Sequence, residues 1–382
     1  MKILIISPSN EGTIAKCSAN LYKALASTGG DVSCYYLYRY NNGEPLYNDC
    51  GFLIDRTNDA KNDMSLLQKV KWLKEIKKRE APEITISTLV VVNLLNVLTG
   101  GKDKKVGVFH APIEQAREFG LLYFWGLYLV FFAFFPFLDL LSCVSEEVKD
   151  SVKKIISIPS KKVNVIYNAH DSSIIETLSK EPLSEFEEKV MNKALLYCGR
   201  IDDNKAPQRA IDAFCKANLS ERYNLVIIGP DPYGKWNSIQ GNIKPSFRDR
   251  IFYLGPQINP YNFIKKSVAL ISSSYSEGLP GVVIESLILG RPVLSTNSSR
   301  GVWEIFSANK SYDRNLAGLF ENDCGIISSN LSFQNPICYE KDVNNLAKGI
   351  EKIVGKGIVL NFDFKNEIDF STISEKYQSV IQ

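Results

Sequence analysis

The 382-residue sequence predicts an α/β protein made of two doubly wound, parallel-sheet domains. Three observations carry that expectation. Short apolar runs that read as buried strands alternate with longer amphipathic segments, the rhythm of successive βαβ units. The chain is too long for one ordinary core and fits two. Between two rhythmic halves, residues 172–193 turn polar and include Pro182, which marks a boundary. The expected domains are 1–180 and 186–365, with a terminal segment 366–382.

The first strand covers residues 2–8, an apolar start too short for a signal peptide. The loop Ser9-Asn10-Glu11-Gly12 leads into a helix from Thr13 to Ser27, and Val32 to Leu37 returns as strand, a βαβ opening. A helix from Met64 to Arg79 and strands at Glu83 to Ser87, Lys105 to Phe109 and Leu140 to Val144 follow, with Ser145 as the N-cap of the next helix. The second half restarts at Ala194 to Tyr197 and continues through strands at Leu225 to Ile228, Ile251 to Leu254, Ala269 to Ser272 and Pro292 to Ser295. Ser307 to Phe320 and Ser328 to Tyr339 read as irregular excursions without a functional reading.

Composition narrows the function. Hydrophobic residues make up 45% and charged residues 23%, and a net charge of +3 gives no case for nucleic acid as a partner. The eight cysteines are scattered without a C-x-x-C pair, as buried thiols of a reducing cytosol are. The two histidines, His110 and His170, stand apart from any cysteine cluster, so no metal site and no cofactor are expected.

The most informative segment follows the predicted strand Ala269 to Ser272. A turn-rich loop carries Glu277-Gly278-Leu279-Pro280-Gly281, and a helix from Val282 to Leu289 carries Glu285, closed by Gly290 and Pro292. A helix N-terminus reached through such a loop presents unpaired N–H groups that favour a phosphate or a polar sugar edge. Two acids beside an anion site suit hydroxyl recognition. Arg200 and Lys205 follow the strand Ala194 to Tyr197, where an α/β sheet presents its ligand-facing loop. Taken alone they also read as a solvated basic loop paired with Asp202 and Asp203.

Ser276-Glu277-Gly278-Leu279-Pro280 with Glu285, Gly290 and Pro292 resembles the E-x7-E signature of family 4 retaining glycosyltransferases, and Gly199-Arg200 with Lys205 is similar to that family's G-R-x4-K diphosphate clamp. Weaker echoes are Val144-Ser145-Glu146, Val165 to Asp171, Ile228 to Asp231, Tyr253-Leu254-Gly255 and Phe370-Ser371. The resemblance covers the C-terminal half well and the N-terminal half thinly. It implies the GT-B fold, two Rossmann-like domains facing across a cleft, with the terminal segment crossing back to the first. It further implies that Arg200 and Lys205 neutralise the donor diphosphate, that Glu277 lies at the donor sugar and that Glu285 accepts from the ribose hydroxyls. Gly278, Leu279, Pro280 and Gly281 then offer backbone groups to sugar or phosphate oxygens, and Asp231 and Leu254 border the nucleotide. In the first domain Gly12 approaches the phosphates, without the family's double glycine, and His110 faces the donor sugar. His170 falls at a variable family position and reads as interdomain structure.

Phe119 to Leu138 runs without a charge. Its length permits a transmembrane helix, but His110 before it and Ser145 after it read as parts of one sheet domain, so a core helix over the sheet or an interfacial segment is favoured, with Phe131, Phe132 and Phe135 among its lipid-facing candidates. The helix Leu66 to Arg79 adds Lys69, Lys71, Lys74, Lys77, Lys78 and Arg79, which suit an anionic membrane surface or equally a solvated helix face.

The expected activity is therefore transfer of a sugar, with retention, from a nucleotide-diphosphate sugar to a hydroxyl of a lipid-linked glycan in surface polysaccharide (O-antigen or capsule) synthesis, on the cytoplasmic face of the membrane. Retention fits a front-face substitution, and a covalent intermediate stays open. A GT-B nucleotide-sugar epimerase and a non-catalytic sugar-nucleotide-binding protein are the alternatives. Isomerisation of free sugar nucleotide would mark the first; the complete motif set weighs against the second.

Overall fold

The structure, a computed structural model, describes residues 1–9, 12–38, 65–114, 120–155, 159–307, 311–333, 335–357, 359 and 362–381. Asn10, Glu11, the expected helix start at Met64, and Phe119 lie outside these residues. The chain divides into two compact units, Met1–Asp171 with Asn366–Gln382, and Ser172–Lys365.

In the first unit the order is β1 (Lys2–Ser9), α1 (Gly12–Ser27), β2 (Asp31–Tyr38), α2 (Leu66–Glu80), β3 (Ile84–Thr88), α3 (Val90–Leu98), β4 (Lys104–Phe109), α4 (Leu121–Phe134), β5 (Leu140–Cys143), α5 (Glu146–Ile155) and β6 (Val163–Val165). The strands form one parallel sheet in the order β2-β1-β3-β4-β5-β6. Burial on both faces explains why they read as unbroken apolar runs; Leu4, Ile6, Leu37, Leu73, Ile76 and Leu95 pack into one of its cores. Local signals set the helix starts. Ser65 and Gln68 make a reciprocal capping box at α2, and the Ser145 hydroxyl accepts from the Val148 N–H at α5, as its sequence position predicted.

The apolar run resolves into a helix with two different faces. Phe124 and Phe131 are buried, and Phe131, 0% exposed, packs its ring 5.1 Å from Phe109 and 4.0 Å from Phe135. Leu122, Trp125, Leu129 and Phe132 recur on the opposite face, with Leu122 92% exposed. Phe131 and Phe135 are therefore core residues rather than lipid-facing candidates; Phe132 alone of the three points outward. No helix among the described residues is long and apolar enough to cross a membrane. On α2, Lys71, Lys74 and Lys78 are exposed, whereas Lys77 turns inward to Asp103 at 2.7 Å and Asn96 at 2.8 Å. Burial draws the Lys77 ammonium down to about 8, against the opposing pull of Asp103.

The second unit contains α6 (Ser172–Leu178), α7 (Glu185–Met191), β7 (Ala194–Cys198), α8 (Pro207–Lys216), β8 (Asn224–Ile228), α9 (Trp236–Asn242), β9 (Ile251–Tyr253), α10 (Tyr261–Lys266), β10 (Ala269–Ser272), α11 (Gly281–Ile288), β11 (Val293–Thr296), α12 (Arg300–Ile305), β12 (Leu319–Asn322), β13 (Gly325–Ser328) and α13 (Tyr339–Ile353). Its sheet runs β12-β13-β11-β10-β7-β8-β9, parallel throughout except for the antiparallel β12–β13 hairpin. That hairpin lies within the stretch where the sequence pattern weakens.

The unit boundary falls at Asp171/Ser172 rather than near 180, because α6 packs against α10 and α11. After α14 (Lys365–Ile368), the last helix, α15 (Phe370–Ile381), returns to the first unit and packs on α1. His170 also belongs there, its N–H donating to the Ile368 carbonyl at 3.0 Å.

Candidate active site

The loops after β7, β8, β9 and β10, at the carboxyl edge of the second sheet, hold or lead into the candidate residues of this unit, since these strands run parallel and deliver their following loops to the same side. The β7–α8 loop is shaped from within. The Tyr197 hydroxyl lies 3.0 Å from the Arg200 carbonyl and 3.1 Å from that of Lys205, and the Asp202 carboxylate accepts the Lys205 N–H at 2.7 Å.

The two basic residues pair differently. Asp203 pairs with Lys235 at 2.5 Å, and Asp202 takes the Arg200 Nε at 3.1 Å, so Arg200 does have a local carboxylate partner and its side chain is 55% exposed. Lys205 does not follow that pattern. Its ammonium reaches across to the next loop and meets Glu277 Oε1 at 2.6 Å, with side-chain exposures of 26% and 12%. Residues 72 positions apart in sequence are thus brought together as a half-shielded cation and acid.

Glu277 sits two residues past Tyr275 on the β10–α11 loop, which continues through Gly278, Leu279 and Pro280 to α11 at Gly281. Gly278, Leu279 and Pro280 are buried. The loop abuts the start of α12: a Cβ on Gly301 would lie 2.2 Å from the Gly278 carbonyl oxygen, so only glycine permits that approach. Glu285 lies one turn into α11, buried beside Ile284 and Leu287. The Gly281 and Val282 N–H groups at the loop end precede the first bond of this helix, which Val283 donates to the Pro280 carbonyl at 3.1 Å.

Asp231, in the loop after β8, accepts the Lys235 N–H at 2.8 Å and the Trp236 N–H at 2.9 Å with its two oxygens, at the start of α9. The Trp236 ring packs tilted against Tyr253 with ring centres 4.6 Å apart, the Tyr253 hydroxyl donates to the Gly229 carbonyl at 2.8 Å, and Leu254 follows half-buried.

In the first unit Gly12 and His110 stand at the carboxyl ends of β1 and β4, the same edge of that parallel sheet. Gly12 opens α1 with φ +82°, a conformation that favours glycine, while nothing crowds its Cβ position. His110 Nε2 is buried and has no hydrogen-bond partner, and burial draws the imidazole down to about 4. It is neutral at pH 7. A buried polar atom left unsatisfied is costly, and persists where a ligand completes it.

Residues that sequence reading missed support this edge from below. Arg209 on α8 is buried; its guanidinium donates to the Ser273 carbonyl at 3.3 Å and to Asn330 Oδ1 at 2.8 Å, approaches Asp342 at 3.5 Å and lies 4.5 Å from the Tyr275 ring centre. Burial alone would raise Asp342, but hydrogen bonds from Ser329, Ser332 and Leu331 outweigh it and hold the carboxyl below its usual range. The available signal was a charge on the apolar face of α8, in register with Ala210, Ala213 and Phe214.

Residues 179–320 match the family model described as glycosyl transferases group 1. The chain is 27% identical over 233 residues to an uncharacterized glycosyltransferase of Methanocaldococcus jannaschii, covering 58% of this chain and 55% of that protein. It is 29% identical over 173 residues, 45% of each chain, to the Campylobacter jejuni N-acetylgalactosamine-N,N'-diacetylbacillosaminyl-diphospho-undecaprenol 4-alpha-N-acetylgalactosaminyltransferase. The chain thus spans about half the length of the curated relatives it matches. The crystal structure of Anabaena HepE in complex with UDP and glucose is similar with a TM-score of 0.69 at 14% identity, covering 100% of this chain and 99% of that one. That likeness shows the fold, which is GT-B. Together the matches support a glycosyltransferase of this fold.

Proposed function

We propose that the protein is a retaining glycosyltransferase of family 4 type, which moves a sugar from a nucleoside-diphosphate sugar to a hydroxyl of a lipid-linked glycan in surface polysaccharide synthesis. The observation that carries the reading is the Lys205–Glu277 pair at 2.6 Å, set between a basic loop and the N-terminus of α11. As the glycosidic bond breaks, negative charge gathers on the leaving diphosphate, and a fixed cation stabilises it most at that point. An ammonium has three donors, so Lys205 holds Glu277 and a phosphate oxygen at once. Arg200 adds a second cation from the exposed side of the loop. Glu277 then lies at the donor sugar and Glu285 accepts from the ribose hydroxyls. His110, neutral at pH 7, offers a ligand a hydrogen bond rather than a charge. With side-chain cations and a helix N-terminus in this electrostatic role, the reaction proceeds without a divalent metal.

The HepE complex with UDP and glucose supports the donor class, and the Campylobacter relative, whose name specifies a diphospho-undecaprenol glycan, supports the acceptor class. The exposed apolar face of α4 supports attachment to the cytoplasmic surface of an anionic membrane, with Lys71, Lys74 and Lys78 of α2 adding charge; α3 packs against both helices.

The test is donor hydrolysis across a panel of UDP-, GDP- and ADP-sugars, with the anomeric configuration of the product read by NMR. Hydrolysis of one donor with retention supports the reading. Absence of hydrolysis and of thermal stabilisation by every donor, or an inverted product, overturns it.

A further inference from the structure

The loop that carries Glu277 has no regular secondary structure, yet five successive backbone polar groups are each taken up by a neighbouring loop. The Tyr275 N–H donates to the Asn204 carbonyl at 2.7 Å, and the Tyr275 carbonyl accepts from Asn330 Nδ2 at 2.7 Å. The Ser276 N–H donates to Asn204 Oδ1 at 3.1 Å, and the Ser276 carbonyl accepts from Asn204 Nδ2 at 3.0 Å. The Glu277 N–H donates to the Ser298 carbonyl at 3.2 Å. Asn204 supplies three of these bonds and immediately precedes Lys205, whose ammonium holds the Glu277 carboxylate.

We propose that Asn204 is a positioning residue that fixes Lys205 and Glu277 against each other, so that the acid at the donor sugar is held in place before the donor arrives. This rests on the glycosyl-transfer reading above. The chemistry singles out asparagine. Its amide carries an acceptor and donors on one short, stiff side chain, so it pairs with the N–H and the carbonyl of one residue as a neighbouring strand would. An aspartate accepts only. Because Asn204 and Lys205 are adjacent, the clasp transmits any shift of the cation loop directly to the acid loop. Asn330 and Ser298 hold the flanking groups, Tyr275 C=O and Glu277 N–H, so loss of Asn204 frees the segment between two retained anchors rather than the whole loop.

The test uses the full chain and the donor that the wild type hydrolyses from the UDP-, GDP- and ADP-sugar panel, with the matching nucleoside diphosphate as the binding probe. Asn204→Ala is expected to lower kcat about 10²-fold, the scale of a misplacement of about 1 Å, while the nucleoside diphosphate Kd stays within about threefold. Asn204→Asp, which keeps acceptance from the Ser276 N–H and loses donation to its carbonyl, falls between. In a Glu277→Gln background the same Ala change costs less than about threefold further, because the residue it positions is already disabled. Wild-type kcat in folded Asn204→Ala overturns the role, as does the full loss repeated on top of Glu277→Gln, which is what a merely structural residue would give. If Ala prevents folding, the Asp variant carries the same comparison. A wild type that binds no nucleoside diphosphate and hydrolyses no donor would instead remove the glycosyl-transfer reading on which the role depends.

Discussion

The buried His110 should make the protein's stability fall in mild acid. Its Nε2 is buried and unpartnered, and burial lowers the folded-state value to about 4, against about 6.5 for an unfolded histidine. Since the unfolded chain binds the proton first, the protein loses stability as pH falls through the window between those two values. The gap of about 2.5 units corresponds to about 3 kcal/mol at most. Above about pH 6.5 the residue is neutral in both states and the effect vanishes. Replacing His110 by Gln removes this titration. Urea unfolding of both proteins at intervals from pH 7.5 to 4.5 should show the wild type losing stability faster, and the difference between them growing as pH drops. Parallel curves, or an imidazole NMR titration centred near 6.5, would refute the argument that the ring is held neutral by burial.

Three further outcomes follow from the site and the surface. Glu277→Gln should impair transfer far more than nucleoside diphosphate binding, and Glu285→Ala should weaken that binding; calorimetry showing the reverse pattern would exchange the two roles. Activity should survive EDTA, and a loss restored by Mg²⁺ or Mn²⁺ would show a divalent metal in the reaction. Leu122→Ser, Leu129→Ser and Phe132→Ser together should leave the fold intact, since all three side chains are exposed, and weaken co-sedimentation with anionic vesicles by at least about 10²-fold, given about 1.5 to 3 kcal/mol for each apolar side chain buried. Unchanged vesicle binding would remove the membrane role of α4.

The sequence revealed the two sheets because strands buried on both faces are mostly apolar, and the centres of β1, β7, β8 and β10 read that way. It was silent on β12 and β13, four residues each, where an Asp323-Cys324 turn interrupts a stretch too short for a period to appear. The domain boundary shifted because α6 is polar on most of its surface and only its packing through Ile175 shows which unit it joins. The run at 119–138 was ambiguous for a physical reason: a helix apolar all round gives no periodicity to tell the core face of Phe124 and Phe131 from the outer face of Leu122 and Leu129. The acids and cations were legible as types at fixed spacings, whereas their partners were not. Nothing in the spacing tells whether Lys205 chooses Asp203 or Glu277; the fold makes that choice by giving Asp203 to Lys235 and clasping the two loops through Asn204.

The proposed glycosyl transfer depends most directly on Lys205 as the cation beside Glu277 that meets the donor diphosphate. Single-turnover and steady-state rates of Lys205→Ala at saturating donor, with Arg200→Ala alongside, measure this. Loss of one preorganised electrostatic donor predicts a fall in turnover of roughly 10² to 10³ for Lys205→Ala, with the fold retained. Near-wild-type turnover in both folded variants would contradict it, and the Lys205–Glu277 pair would then be an ion pair that holds two loops together and nothing more.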